Sequence, residues 1–308
     1  MAPKKSPKFH ASDIQDLSGY VAMVTGGNTG IGYEITLQLA LHNARVYLAA
    51  RSPERANKAI AQMKSSHKQN LDLHFLEIDL QSLQSVKSAA DTFMKTETRL
   101  DLLINNAGIM AVSFKLTTDG FETQWQTNHL APFFLVNCLL PILESTAAST
   151  SARSRVRIVN VSSDAAFMTA PKEMDLAHPN LENVKGAMAG WKRYGHSKQA
   201  SIIHARALHD RFHKNGISAF AVQPGIVNTN LTDNDPSAFG FFVRYMIRWG
   251  IMPGTVSVAE GATSTLFCAT SEKAVGDSGK YFAPGGVLDK RPEKWTGDAK
   301  VVGRLWEE

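Results

Sequence analysis

Cysteine is scarce in this chain of 308 residues: Cys138 and Cys268 stand far apart, each inside an apolar segment. That excludes a disulfide framework and fits two buried free thiols in a reducing compartment. Long apolar runs are also missing. None approaches the roughly 18 uninterrupted apolar residues of a membrane-spanning helix, and no apolar stretch follows the basic start Met1–Lys8 to make it a secretory signal. A basic stripe with interleaved aromatics is absent too, so nucleic acid is not an expected partner. The formal charge of +5 owes three charges to Lys4, Lys5 and Lys8, which leaves the rest close to neutral. These absences describe a cytoplasmic protein with a flexible tail over residues 1–17 and a single domain over 18–308.

What is present is ordinary globular composition, 44% apolar and 20% charged, arranged in a distinct rhythm. Strand-length apolar runs recur at Tyr20–Thr25, Arg45–Ala50, Asp72–Ile78, Leu100–Asn105, Arg155–Val161 and Ile217–Gln223, with a short seventh at Gly279–Ala283. Longer segments of helical periodicity separate them. The runs are continuously Val, Ile and Leu rather than alternating, as expected of strands covered on both faces. The expected fold class is therefore α/β: a Rossmann-type, doubly wound parallel sheet in a three-layer α/β/α sandwich.

The first run ends in Thr25-Gly26-Gly27-Asn28-Thr29-Gly30-Ile31-Gly32, and helical periodicity follows over Ile31–His42. Glycines in a strand–turn–helix setting let the backbone take positive φ. They also let a pyrophosphate approach the unpaired N–H groups of a helix N-terminus. The spacing is G-x-x-x-G-x-G, not the general G-x-G-x-x-G fingerprint. The second run closes in Ala50-Arg51-Ser52. An acidic residue there would accept from a ribose 2′-OH, whereas an arginine beside small residues pairs with a 2′-phosphate. The expected cofactor is NADP(H).

Tyr194 and Lys198 stand four apart in Tyr194-Gly195-His196-Ser197-Lys198. On a helix this spacing puts phenol and ammonium on one face. The cation is expected to lower a phenol pKa that otherwise lies near 10 and so fit it for proton transfer.

These residues resemble the short-chain dehydrogenase/reductase family, over about Leu17 to Ala283. The carriers are Gly26/Gly30/Gly32, Asp79-Leu80, Asn105-Asn106-Ala107-Gly108, Asn128, Val161-Ser162-Ser163, Tyr194-x-x-x-Lys198, and Pro224-Gly225 with Val227 and Thr229. The wording around Ser163 and Tyr194 is similar to the retinol-dehydrogenase-like and fungal alcohol-dehydrogenase branches. The resemblance implies Tyr194 as general acid/base and Ser163, rather than Ser162, as the hydrogen-bond partner of the substrate oxygen. It implies Lys198 on the nicotinamide ribose and Asn128 holding a water toward Lys198, completing a catalytic set of four. It further implies cofactor contacts from Gly26, Asn28, Thr29, Gly30, Ile31 and Gly32, with Asp79 and Leu80 at the adenine. Asn106, Ala107 and Gly108 would pass along the dinucleotide, and Pro224, Gly225, Val227 and Thr229 would meet the nicotinamide. The implied activity is oxidoreduction between a carbonyl and an alcohol, and family habit adds a homo-oligomer, unless the Leu288–Glu308 tail covers the packing surfaces.

Other constellations carry less. Gly195-His196-Ser197-Lys198-Gln199 nears a hydrolase nucleophile elbow but has Gln199 where that elbow needs glycine. His209 and His213 share a helical spacing without the glutamate of a metal motif, so no metal is expected and they read as solvated. Thirty residues between Ser163 and Tyr194 make Pro171–Trp191 loop out, bordering a substrate. The aromatic-rich 235–253 stretch suits a lid over an apolar small molecule, a subunit contact or a membrane-touching segment. A non-enzymatic dinucleotide sensor on the same fold is the rival reading. The presence of Asn128, Ser163, Tyr194 and Lys198 together favours catalysis.

Overall fold

A computed structural model describes residues 9–149, 155–171, 174–227 and 255–307. The elements run β1 (Val21–Thr25), α1 (Gly30–Leu41), β2 (Arg45–Ala50), α2 (Pro53–Ser66), β3 (Leu73–Glu77), α3 (Leu83–Thr96), β4 (Leu102–Asn105), the short α4 (Thr123–Trp125) and α5 (Ala131–Ala148). Then come β5 (Val156–Val161), the four-residue α6 (Ala165–Met168), α7 (Ala189–Phe212), β6 (Ile217–Val222), β7 (Ile226–Val227) and β8 (Thr255–Val256). The chain closes with α8 (Val258–Thr270), β9 (Tyr281–Ala283), β10 (Val287–Asp289), α9 (Glu293–Thr296) and α10 (Ala299–Glu307).

Eight strands form one sheet in the order β10-β9-β6-β5-β4-β1-β2-β3. All pairs are parallel except β9 with β10. The strand β10 is an addition to the seven expected from apolar runs; its half-exposed, three-residue edge position leaves it without a buried apolar signature. The doubly wound three-layer reading is correct, and alternation within the strands shows why. Ala22, Val24, Val46 and Leu48 face one core with Ile35, Met63 and Leu266 of α1, α2 and α8. Their neighbours Met23, Tyr47 and Leu103 face a second core with Phe93, Leu135 and Leu208 of α3, α5 and α7. Both faces of the central strands β1, β4, β5 and β6 are covered, so no polar alternation survives in them.

The expected boundary of the tail at residue 17 is not where the packing begins. Ile14 and Leu17 are buried in the first core, Leu17 N–H donates to His42 O at 2.7 Å, and the Phe9 ring meets Phe267 edge-on at 5.6 Å. Burial of these apolar side chains offsets the entropy of ordering the segment. Cys268 is buried and Cys138 half-buried, both free. One helical stretch, Thr123–Ala148, is long and apolar enough to cross a membrane by composition, yet half of its most apolar window is buried inside the fold. The 235–253 stretch lies outside the described residues.

The sheet order reverses between β1 and β4, so their carboxyl ends open a crevice where the chain runs off in opposite directions. That switch point is where open α/β sheets place ligands.

Candidate active site

Two adjoining cavities of about 290 and 300 Å³ occupy this crevice and share Gly26, Thr29, Ala107 and Gly108. The first is floored by Gly30, Ile31 and Gly32 at the start of α1 and reaches Asn106, Ser162, Tyr194, Lys198 and Pro224. The second runs past Asn28, Arg51, Ser52 and Arg55 to Asp79 and Leu80. Most of the expected cofactor residues thus converge on one trough. Gly225, at φ +85, turns the chain toward β7, where Val227 is buried and pairs with Val256. Thr229 lies outside the described residues.

The glycine spacing follows from close approach. Gly26 and Gly30 have φ of +68 and +55, a region that side chains with a Cβ disfavour. A Cβ on Gly32 would stand 2.3 Å from Gly26 O and 2.5 Å from Asn106 Nδ2. Thr25 Oγ1 accepts from the N–H groups of Asn106 and Ala107 at 3.0 and 3.1 Å, which locks the β4 loop against the glycine turn. Thr29 caps α1 without a side-chain hydrogen bond, and no acidic residue stands in the first turn. Its first N–H groups are therefore left for an anion, so the residues fit the dinucleotide's pyrophosphate.

At the far end Arg51 and Arg55 are exposed, and neither guanidinium hydrogen-bonds or pairs with a described residue. Arg55 went unnoticed in the sequence because it lies inside α2. Only the N-cap, Ser52 Oγ accepting from Arg55 N–H at 3.3 Å, brings that first turn back beside Arg51.

At the other end α7 delivers Tyr194 and Lys198 on one face, both buried. Lys198 Nζ lies 5.8 Å from the centre of the Tyr194 ring and donates to Val161 O at 2.8 Å. The expected lowering of the phenol pKa is not found. Burial pushes Tyr194 up to about 12, against a smaller downward pull from its hydrogen bond with Ser163. Burial also brings Lys198 down to about 8. The helical spacing is right, but both groups have left water, and desolvation outweighs their separation of several ångströms.

The two serines make different contacts. Ser162 is buried and donates to Lys198 O at 2.7 Å, while the half-buried Ser163 keeps its hydroxyl at Tyr194 and accepts from Ala165 N–H at 3.2 Å. Asn128 sits in a π-helical turn, Gln126–Leu130, between α4 and α5. Such turns re-aim single side chains. Both of its amide hydrogens are committed, to Ile109 O and Ser197 Oγ at 2.9 Å each, and its Oδ1 accepts from Ile109 N–H at 2.8 Å. Asn128 therefore splints the β4 loop to α7. Gly108 fits the gap, since a Cβ there would stand 3.1 Å from Asn128 Oδ1 and 3.3 Å from Lys198 Nζ.

The profile of the short chain dehydrogenase family matches residues 20–174. The chain is 41% identical to "Short-chain dehydrogenase/reductase drtF" of Aspergillus calidoustus, over 96% of this chain and 93% of that protein. This protein belongs to the short-chain dehydrogenase/reductase family. It is an oxidoreductase by that membership, and the family's nicotinamide dinucleotide fits the trough described above. It is also 35% identical to retinol dehydrogenase 12 of Mus musculus, over 97% of this chain and 93% of that protein. Among solved structures, a putative uncharacterized protein from Mycobacterium paratuberculosis superposes with a TM-score of 0.71 at 27% identity, covering 98% of this chain and 96% of that one. The NADPH-bound carbonyl reductase from chicken fatty liver shares the fold, with a TM-score of 0.64 at 23% identity over 92% of this chain and 99% of that one.

The apolar surround of Tyr194 has no local signature in the sequence. Met110, Ala111 and Ala165 pack on it, with Trp191 edge-on at 6.2 Å. The looped-out residues before α7 are held from behind by Arg193, which donates to Leu181 O and Val184 O at 3.3 and 2.7 Å. His209 and His213, expected as solvated, are half-buried, their rings tilted by 30° at 4.6 Å, with Gly279 pressed against His209.

Proposed function

We propose that this oxidoreductase uses NADP(H) to interconvert a carbonyl and an alcohol on an apolar small molecule, in the cytoplasm and mainly as a reductase. The observation that carries the proposal is the meeting of Ser163, Tyr194 and Lys198 beside the glycine trough, with Asn128 bracing α7. The dinucleotide, when bound, supplies or accepts a hydride. Ser163 Oγ orients the substrate oxygen and hydrogen-bonds the negative charge that develops on it. Tyr194 exchanges the proton: a buried phenol held near 12 stays protonated at neutral pH and serves as donor to a nascent alkoxide in the reductive half of the reaction. Lys198 holds its ammonium below about pH 8 and braces the far side of Tyr194. Arg51 and Arg55 read a 2′-phosphate, since two uncompensated guanidiniums beside one cavity suit a dianion better than a ribose diol.

Met110, Ala111, Ala165 and Trp191 give an apolar wall for the substrate, and the similarity to retinol dehydrogenase 12 supports an apolar aldehyde or ketone. The test is to offer the purified protein NADPH or NADH with retinaldehyde, decanal and acetophenone and to follow loss of the reduced cofactor. NADPH-dependent reduction supports the proposal. Binding of NADPH with no turnover of any carbonyl would favour the dinucleotide-sensor reading.

A further inference from the structure

Ser163 stands at the start of a turn too short to hold itself. The helix α6 has four residues, and its N-cap, Asp164, makes no capping bond. Because Ser163 Oγ accepts from Ala165 N–H and Ser163 O accepts from Ala166 N–H at 3.1 Å, the hydroxyl moves with that turn. On one side α7 holds it. A Cβ on Gly195 would come within 2.4 Å of Thr169 Oγ1 and 2.6 Å of Ala165 O, so the two backbones touch there.

The other side is held by the C-terminal segment, beyond the stretch matched by the family profile. Arg291 donates through Nη2 to Asp164 Oδ1 at 2.6 Å and through Nε to Asp289 Oδ2 at 2.8 Å. Its guanidinium also lies over the Phe167 ring, 4.3 Å from the centroid. The Phe167 ring also stacks on Trp295 at 5.1 Å and 15° and meets Tyr281 at 5.6 Å and 60°. Phe167 of α6 is thus held by both a cation and an indole of the C-terminal segment, while the residue next to Ser163 is tied to that cation.

We propose that Arg291, together with Trp295, is a positioning residue that fixes Ser163 against Tyr194 through α6; this rests on the role given to Ser163 under the proposed function. Exposed ion pairs stabilise little, so the effect of this clamp lies in geometry rather than in global stability. Planar stacking on a ring and a fork-shaped donor set are properties of arginine that lysine does not reproduce.

The test reads the turn and the chemistry separately. In Arg291→Ala, amide exchange in the peptide spanning 163–170 should rise at least ~10-fold while the β5 peptide is unchanged. With NADPH and the best carbonyl of the panel above, kcat should fall about tenfold with KM nearly constant. That loss should vanish when Arg291→Ala is added to Ser163→Ala. Trp295→Phe should retain most turnover, and Arg291→Lys should lie between, which covers the case in which Arg291→Ala folds poorly. Unchanged exchange at 163–170 would overturn the clamp, as would an equal fold-loss in both backgrounds. Full turnover by Ser163→Ala would instead remove the reading on which the inference rests, and the exchange measurement would still judge the clamp.

Discussion

The two ends of the trough are built on opposite principles. At the Arg51/Arg55 end the charges stand in water with no described partner; at the Tyr194/Lys198 end every charge-bearing group is buried and hydrogen-bonded. Exposed guanidiniums cost nothing to desolvate until a ligand arrives, which suits them to binding. Buried groups have their proton affinities moved by the fold itself, and so act on chemistry. The same contrast extends behind α7. Trp125 stacks on His196 at 4.6 Å and meets His129 at 4.8 Å, and His129 and His204 lie 5.9 Å apart, all three histidines buried. Burial holds His196 at about 4 and His204 at about 3, and keeps His129 well below its ordinary value.

The largest effect is expected from Tyr194→Phe. Turnover should fall by about 10³-fold with NADPH affinity unchanged by calorimetry; a variant that kept full turnover would end the proposed chemistry. At the exposed end the pattern should invert. Arg51→Ala should weaken NADPH binding by about 10- to 100-fold, and Arg55→Ala by about tenfold, with NADH affinity and kcat little altered. Equal losses for NADH would mean that these cations do not read a 2′-phosphate.

The histidine layer predicts acid sensitivity. Unfolded histidines titrate near 6.5, so below that pH the unfolded chain binds protons that His129, His196 and His204 refuse in the fold. Their contribution is complete above about pH 6.5 and declines as pH falls toward about 4, by up to ~1.4 kcal/mol per pH unit for each histidine. Urea midpoints measured at intervals between pH 7.5 and 5 should trace this slope, and His204→Phe should flatten it. An effect on stability alone should come from Gly195→Ala. Its Cβ would lie 2.5 Å from Ala170 N, so α6 and α7 must part, lowering stability by about 1–3 kcal/mol on thermal unfolding.

Legibility in the sequence tracked locality. Strand positions and the glycine loop were readable because period, run length and turn residues are local signals, and the observed β1, β2, β5 and β6 fall within one residue of the apolar runs at every end. The Tyr194–Lys198 face was readable for the same reason. Phe9 to Leu17 was misread because isolated apolar residues in a polar stretch show no period, and only the groove beside α1 and α8 gives them a place. Arg55, though close in sequence, was missed because only the helix cap turns it back beside Arg51, and Arg291 because it acts over 127 residues on Asp164.

Local signals in the chain were enough for the α/β class, the glycine trough and the shared helical face of Tyr194 and Lys198, since spacing and turn chemistry dictate these before any long-range contact forms, whereas Ser163 and Asn128 were legible only through the family resemblance. The tertiary structure alone decided how those groups behave. Burial, which no residue carries in its own identity, raised Tyr194, lowered Lys198, silenced three histidines, and brought a C-terminal arginine against the turn that holds Ser163.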